Sequence, residues 1–196
     1  MSSANEIRLA LHGLGSLSER LRKEIIWIMR VEFGPIVSDA GMVLRIIPTV
    51  HGRGDLNLDF DSESPPGKVC SPTVLGEDGG GNIWVRAHRE LRVCGKADPA
   101  TGKRDTRRFL TNDVLLGRAL ANTAMHELGH FIADLDHTSD MQNYMMTLGL
   151  PKDKRTLRTQ RETWAGHQSF NDAQKQKLVT QLKKREWLGD MKVEVK

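Results

Sequence analysis

Two cysteines in 196 residues are too few for a disulfide-stapled miniprotein, and neither belongs to a C-x-x-C pair. They permit one disulfide, Cys70 with Cys94, or two thiols in a reducing compartment; both flank the same Gly-rich region, which favours the disulfide. No stretch approaches the roughly 18 apolar residues of a membrane span. No basic start precedes an apolar core at the N-terminus, and residues 9–17 are interrupted by His12, Gly13 and Gly15, so no signal peptide is legible. Localisation therefore stays open between secretion of a processed form and the cytoplasm. No internal repeat is present. Aromatic residues are 5% of the chain, AVILMFWYC 38% and DEKR 28%. That balance excludes a disordered chain or a collagen and suits a soluble globular protein. The length fits one domain that can bury a substantial core.

The net charge is +4. The excess lies in residues 152–196, which hold 12 Lys/Arg against 6 Asp/Glu. A basic region of this kind can meet nucleic acid or an anionic surface. The commoner state is a solvated helix face, and nucleic acid is not the expected partner.

Apolar periodicity predicts the elements. Leu17, Leu21, Ile25, Ile28 and Met29 recur at helical spacing, with Ser16 and Glu19 at capping-box separation. A helix is expected over 16–33, stopped by Gly34-Pro35. Residues 42–50 read as a strand, which Pro48 places at a sheet edge or a strand terminus. Residues 51–81 are irregular apart from a short strand over 56–60. Residues 82–87 form a second clear strand and 91–94 another, before a polar loop over 97–108. Asp55, Asp59, Asp61 and Glu63 read as a solvated loop rather than a calcium site. Thr111 or Asn112 caps a long helix to about Ala133. A polar bend over 134–143 and a basic connector over 151–161 follow. Asn171 and Gln174 form a reciprocal cap for the last helix. Its Leu178, Leu182 and Trp187 face the core, and its Lys175, Lys177, Lys183, Lys184 and Arg185 face water. The order of helix, strands, helix, helix suggests an α+β or three-layer domain.

One motif carries chemistry: His126-Glu127-Leu128-Gly129-His130, inside the long helix. Residues four apart share a face, so both imidazoles can reach one ion. Glu127, one step round from His126, can reach a water at that ion without displacing it. A third ligand must come from the turn that follows, where Asp134, Asp136, His137 and Asp140 lie.

The segment from His126 to Met145 resembles the active-site segment of the metzincin clan of zinc endopeptidases, most of all its matrix-metalloproteinase branch. The resemblance implies a Zn²⁺ cofactor, an α+β zincin-like fold with a small twisted mixed sheet, and one metallopeptidase domain. Within that domain, residues 1–134 would carry the sheet and active-site helix, and 135–196 the Met-containing turn and C-terminal helix. It implies His126, His130 and His137 as metal ligands and Glu127 as general base. The chain carries one residue more than the family between its second and third ligand positions. Placing Asp134 where the family has a Gly, at which the chain leaves the helix left-handed, puts His137 in the ligand position. An ungapped reading puts Asp136 there instead. Met145 falls eight residues past His137, where the family has its Met turn beneath the metal; Met146 is the neighbouring candidate. Glu162 is a weaker alternative third ligand, as in zinc peptidases outside the clan. Asn82, Ile83, Trp84 and Val85 would form the edge strand that pairs with an extended peptide substrate, and 147–166, with Trp164, the wall of the main pocket. A monomer is expected. The rival readings are a closed, non-catalytic zinc site with Asp136 or His167 as fourth ligand, and a binding module acting through residues 152–196.

Overall fold

The computed structural model describes residues 5–60, 76–79, 82–85, 112–147 and 162–185. Residues 7–11 form the centre of a strand, β1 (Glu6–His12), that sequence patterning does not announce. Ile7, Leu9, Ala10 and Leu11 are all buried, the near-continuous apolar run of a strand covered on both faces. Arg8 interrupts that run, and Asp55 compensates it. The Asp55 carboxylate accepts from the Arg8 backbone N–H at 2.7 Å and lies 3.5 Å from its guanidinium Nη2. Asp55 is therefore a buried partner of β1 and not part of a solvated loop, because strand pairing brings it beside Arg8.

β1 lies between β2 (Val43–Pro48) and β3 (Leu56–Asp59), parallel to both. β5 (Asn82–Val85) continues the sheet parallel to β3, and β4 (Gly76–Gly79) closes it antiparallel to β5. The spatial order is β2-β1-β3-β5-β4. Pro48 sits at the last position of β2, an outer strand, as its missing N–H requires. The expected edge role of Asn82, Ile83, Trp84 and Val85 is corrected by this order. Both sides of β5 are paired, and among the described residues β4 holds the edge. Gly76-Glu77-Asp78-Gly79 has no apolar alternation, so only its backbone pairing marks it as a strand.

The first helix starts later and runs further than expected. Ser18, not Ser16, caps α1 (Glu19–Ile28), accepting from the Leu21 N–H at 3.3 Å. The Ser18 hydroxyl also donates to Asp113 at 2.9 Å, tying α1 to the start of the long helix. Gly34-Pro35 does not stop the chain. A π turn, Met29–Phe33, leads into α2 (Gly34–Asp39). Pro35 cannot donate to a preceding carbonyl and its ring crowds that carbonyl. Widening the turn relieves the clash without ending the helix.

α3 (Asp113–Ala133) is capped by Asn112, whose side chain accepts from the Val114 N–H at 2.9 Å. It is buried on nearly every face, as a central scaffold must be. α3 packs on α1, β4 and β5. At Gly117 an added Cβ would stand 2.9 Å from Glu24 Cβ, so the glycine sets the close α1–α3 approach. α4 (Asp172–Lys184) carries the expected reciprocal cap between Asn171 and Gln174. It buries Leu178, Val179 and Leu182 against α3 and α2. Two of its expected water-facing cations also tie it down. Lys177 donates to the Asp134 carbonyl at 2.9 Å, and Arg185 to the Glu6 carbonyl at 2.9 Å. Side chains from β1, α1, the π turn, α3, the Tyr144–Met146 turn and α4 share one apolar cluster. The expected strand over 91–94, the connector over 151–161, Trp187, Cys70, Cys94, Asp61 and Glu63 lie outside the described residues.

Candidate metal centre

α3 places His126 and His130 one turn apart on one face, with Glu127 beside them. The helix ends at Ala133, and Asp134 takes the left-handed conformation, φ 44 and ψ 56. Asp tolerates that region better than most non-glycine residues. The Asp134 N–H bonds the His130 carbonyl at 2.8 Å and the Leu135 N–H the Gly129 carbonyl at 3.3 Å. Leu135 is then buried, Asp136 points outward and the chain delivers His137 to the helix.

The three imidazoles converge. His130 Nε2 lies 3.1 Å from His126 Nε2 and 3.0 Å from His137 Nε2, and His137 Nε2 lies 3.2 Å from His126 Nε2. These are the only His, Cys, Asp or Glu side chains among the described residues that could jointly hold an ion. Asp136, Glu162 and His167 stand outside the group.

The nitrogens fit a metal and little else. His126 Nδ1 meets the Tyr144 carbonyl at 2.7 Å, and a carbonyl only accepts, so Nδ1 carries the proton. Nε2 of neutral His126 is then a bare lone pair, aimed at two further ring nitrogens. A triangle with edges of 3.0–3.2 Å admits a common point about 2.0–2.1 Å from each corner, the usual Zn–N distance. A hydrogen-bonded outer partner that fixes the tautomer is the usual support of a metal-binding His.

Beneath the ligands lies the Met turn. The Thr138 N–H bonds the Met145 carbonyl at 2.9 Å, and Asn143 Oδ1 accepts from the Met145 N–H at 2.8 Å. Asn143 also donates to Gln174 at 2.8 Å, joining the turn to the cap of α4. Met145 is fully buried, and a Cβ at Gly129 would stand 2.6 Å from its sulfur, with Phe170 at 3.2 Å and Leu135 at 3.3 Å. Met145, rather than Met146, therefore sits under the ligand helix; the Met146 sulfur is turned to Gln168 at 3.9 Å. Gly129 is the part of the motif that sequence reasoning left without a role, and its role is to admit Met145. Gly129→Ala should gain about 1 kcal/mol in helix propensity and lose about 2–3 kcal/mol to overpacking, since Met145, Phe170 and Leu135 around the added Cβ are all buried. The expected result is a net loss of stability in thermal unfolding; a variant as stable as wild type would contradict this packing.

Trp164 closes the inner side. Its ring lies 5.6 Å from that of His126, edge to face, and its Nε1–H donates to Thr123 at 2.8 Å. Asn122 donates to the carbonyls of Trp164 at 2.5 Å and Gly166 at 3.0 Å. Two buried polar residues of α3 thus hold the 162–166 segment, a function that composition alone does not signal.

Burial pushes the His126 imidazole down to about 4; the bond to Tyr144 opposes this, and His130 and His137 add to the lowering. The metal-free protein should feel it. Its folded pKa lies below the ordinary 6.5, so between about pH 6.5 and 4 the unfolded chain binds a proton that the folded chain refuses. Stability is expected to fall on acidification through that window, by on the order of 3 kcal/mol from this group. Urea unfolding of metal-free protein across the window, compared with His126→Gln, measures the contribution.

His126, Glu127, His130 and His137 on this scaffold form the arrangement of an HExxH catalytic site with a Met turn, metzincin-like in pattern and suited to peptide-bond hydrolysis. Compared with models of known protein families and with curated proteins, the chain matches none.

Proposed function

We propose that the chain is a zinc endopeptidase of the metzincin type, related in its site to the matrix-metalloproteinase branch. The observation that carries the proposal is the convergence of three imidazole nitrogens within 3.0–3.2 Å beside a buried glutamate. His126, His130 and His137 would hold the ion. Three neutral nitrogen donors with no thiolate suit zinc, and a three-ligand site keeps a position for chemistry. Zinc there supplies Lewis acidity, which acidifies water and polarises a peptide carbonyl.

Glu127 handles the protons. It accepts one from the attacking water and delivers it to the leaving amine. Glu127 as a residue is 7% exposed, and burial beside the ligands suits a base that must not be drowned in solvent. The eight-residue interval from His137 to Met145 supports the comparison with the matrix-metalloproteinase branch.

An extended peptide would add to the outer side of β4, which lies against α3 and carries one antiparallel neighbour, β5, among the described residues. The cleft would divide a single monomeric domain into residues 1–134 and 135–196, since the chain reverses at Asp134 just after the second ligand. Residues 162–166, with Trp164, would line the main pocket; residues 148–161 of the expected wall lie outside the described residues.

The test is metal content by elemental analysis on protein purified without chelator, beside a peptidase assay. About one zinc per chain is expected, with activity abolished by chelator and restored by zinc. A chain that takes up no zinc would end the proposal.

A further inference from the structure

We infer that Asn143 is a positioning residue for the metal centre, acting through one peptide group on the imidazole of His126. The inference rests on the reading of the three histidines as a metal site. The peptide group is the one between Tyr144 and Met145. Its C=O accepts from His126 Nδ1 at 2.7 Å. Its N–H donates to Asn143 Oδ1 at 2.8 Å. A peptide group is planar, and in the trans form its C=O and N–H point in opposite directions. Bonds at both ends therefore fix its rotation about the chain. Asn143 holds one end, and the ligand histidine takes the other.

The Asn143 amide is itself held. The residue is 2% exposed. A backbone N–H only donates, so the amide atom facing Met145 is the oxygen and the other is the NH2. That Nδ2 donates to Gln174 Oε1 at 2.8 Å. Gln174 Oε1 also accepts from the Asn171 N–H at 3.0 Å, and the Gln174 N–H donates to Asn171 Oδ1 at 2.9 Å. The cap of α4 thus orients Gln174 without help from the Met turn. Its order passes through Asn143 and the Tyr144–Met145 peptide to His126. The Asn143 backbone is pinned as well. Its N–H bonds the Asp140 carbonyl at 3.2 Å, and its carbonyl accepts from the Met146 N–H at 3.1 Å.

The residue type follows from these demands. An Asn side chain bonds backbone two residues on, closing a local turn. Here the same side chain must also donate to Gln174, which an Asp carboxylate cannot do. Without Asn143 the N–H of fully buried Met145 loses its acceptor, and a buried N–H must find another. Rotation of the peptide toward a new acceptor would carry the Tyr144 carbonyl off His126 Nδ1. The ring would then lose the bond that keeps its proton on Nδ1 and its Nε2 bare toward His130 and His137. In the sequence Asn143 reads only as the end of a polar bend, because Gln174 lies 31 residues on.

The test uses the full chain, Asn143→Ala and Asn143→Asp. Zinc dissociation constants are measured by competition with a chromophoric chelator. The tautomer of His126 is read from its ring ¹⁵N shifts in the metal-free protein, and unfolding temperatures are taken alongside. Outer partners of metal ligands are worth about 10–100-fold in affinity, and one step further out the lower end applies. Asn143→Ala should weaken zinc binding about tenfold, and His126 should no longer hold its proton on Nδ1 alone. Asn143→Asp keeps the oxygen that accepts from Met145 and loses the donor to Gln174. It should unfold at a lower temperature, yet bind zinc about as tightly as wild type with His126 still protonated on Nδ1. Wild-type zinc affinity and an unchanged tautomer in Asn143→Ala would reduce Asn143 to a packing role. Equal zinc losses in Asn143→Ala and Asn143→Asp would also overturn the inference, since the accepting oxygen would then not matter. If Asn143→Ala does not fold, Asn143→Ser replaces it; its hydroxyl makes the same turn more weakly, so its zinc affinity and tautomer should fall between those of wild type and full loss, and values equal to wild type would overturn the inference. A wild-type chain that binds no zinc would bring down the metal-site reading together with this one. Tight wild-type binding that Asn143→Ala leaves untouched overturns this inference alone.

Discussion

Glu127→Gln is expected to keep its zinc and its fold and to lose about 10²–10⁴-fold in kcat. Glutamine has the same shape and keeps one accepting oxygen, so the packing around a residue that is 7% exposed should survive. What it lacks is basicity. An amide cannot take the proton of the attacking water or return it to the leaving amine, and both transfers belong to the transition state. The loss should therefore fall in kcat and kcat/KM together, with KM little changed. Elemental analysis and a fluorogenic peptide assay on the same preparation separate the two effects. A variant that retains both zinc and activity would remove Glu127 from the mechanism. A variant that loses zinc would show instead that Glu127 supports the ligands.

The parts of this site that local rules govern were legible in the sequence. Asn112, one of two cap candidates for α3, and the Asn171–Gln174 cap of α4 follow from a side chain bonding nearby backbone, whereas Asp134 as the left-handed exit follows only from the resemblance. The His126/His130 pair follows from helical periodicity alone. Features that depend on partners distant in sequence were not legible. β1 has no local signature because Arg8 breaks its apolar run, and the partner that allows Arg8 there, Asp55, lies 47 residues on. β4 is invisible to patterning because a Gly-Glu-Asp-Gly strand is held by backbone bonds that composition does not encode. Its addition to the sheet is also what moves β5 off the edge. Gly34-Pro35 reads as a stop but is not one, because a helix can absorb a proline by widening one turn. The Tyr144 contacts join three segments of the chain, and no window of sequence contains them.

His137→Ala should lower zinc affinity by more than about 100-fold, since a ligand should matter more than the outer partners that already reach that figure. Asp136→Ala should leave it near wild type. The sequence leaves these neighbours in competition because both are competent ligands and only the length of the turn separates them. Backbone geometry decides the case. Asp134 uses its positive φ to turn the chain back, Lys177 fastens its carbonyl at 2.9 Å, and Leu135 is driven into the apolar cluster. With Leu135 inward, its neighbour Asp136 faces solvent, and the next residue, His137, comes over the helix with Nε2 at 3.0 Å from His130 and 3.2 Å from His126. The six residues between His130 and His137 are thus accommodated by the left-handed exit at Asp134. Because zinc stabilises the folded chain in proportion to the logarithm of its affinity, the metal-dependent gain in unfolding temperature should shrink in His137→Ala and persist in Asp136→Ala. The reverse pattern would transfer the third ligand to Asp136. It would also require the turn at Asp134 to rewind by one residue, releasing Leu135 from the core.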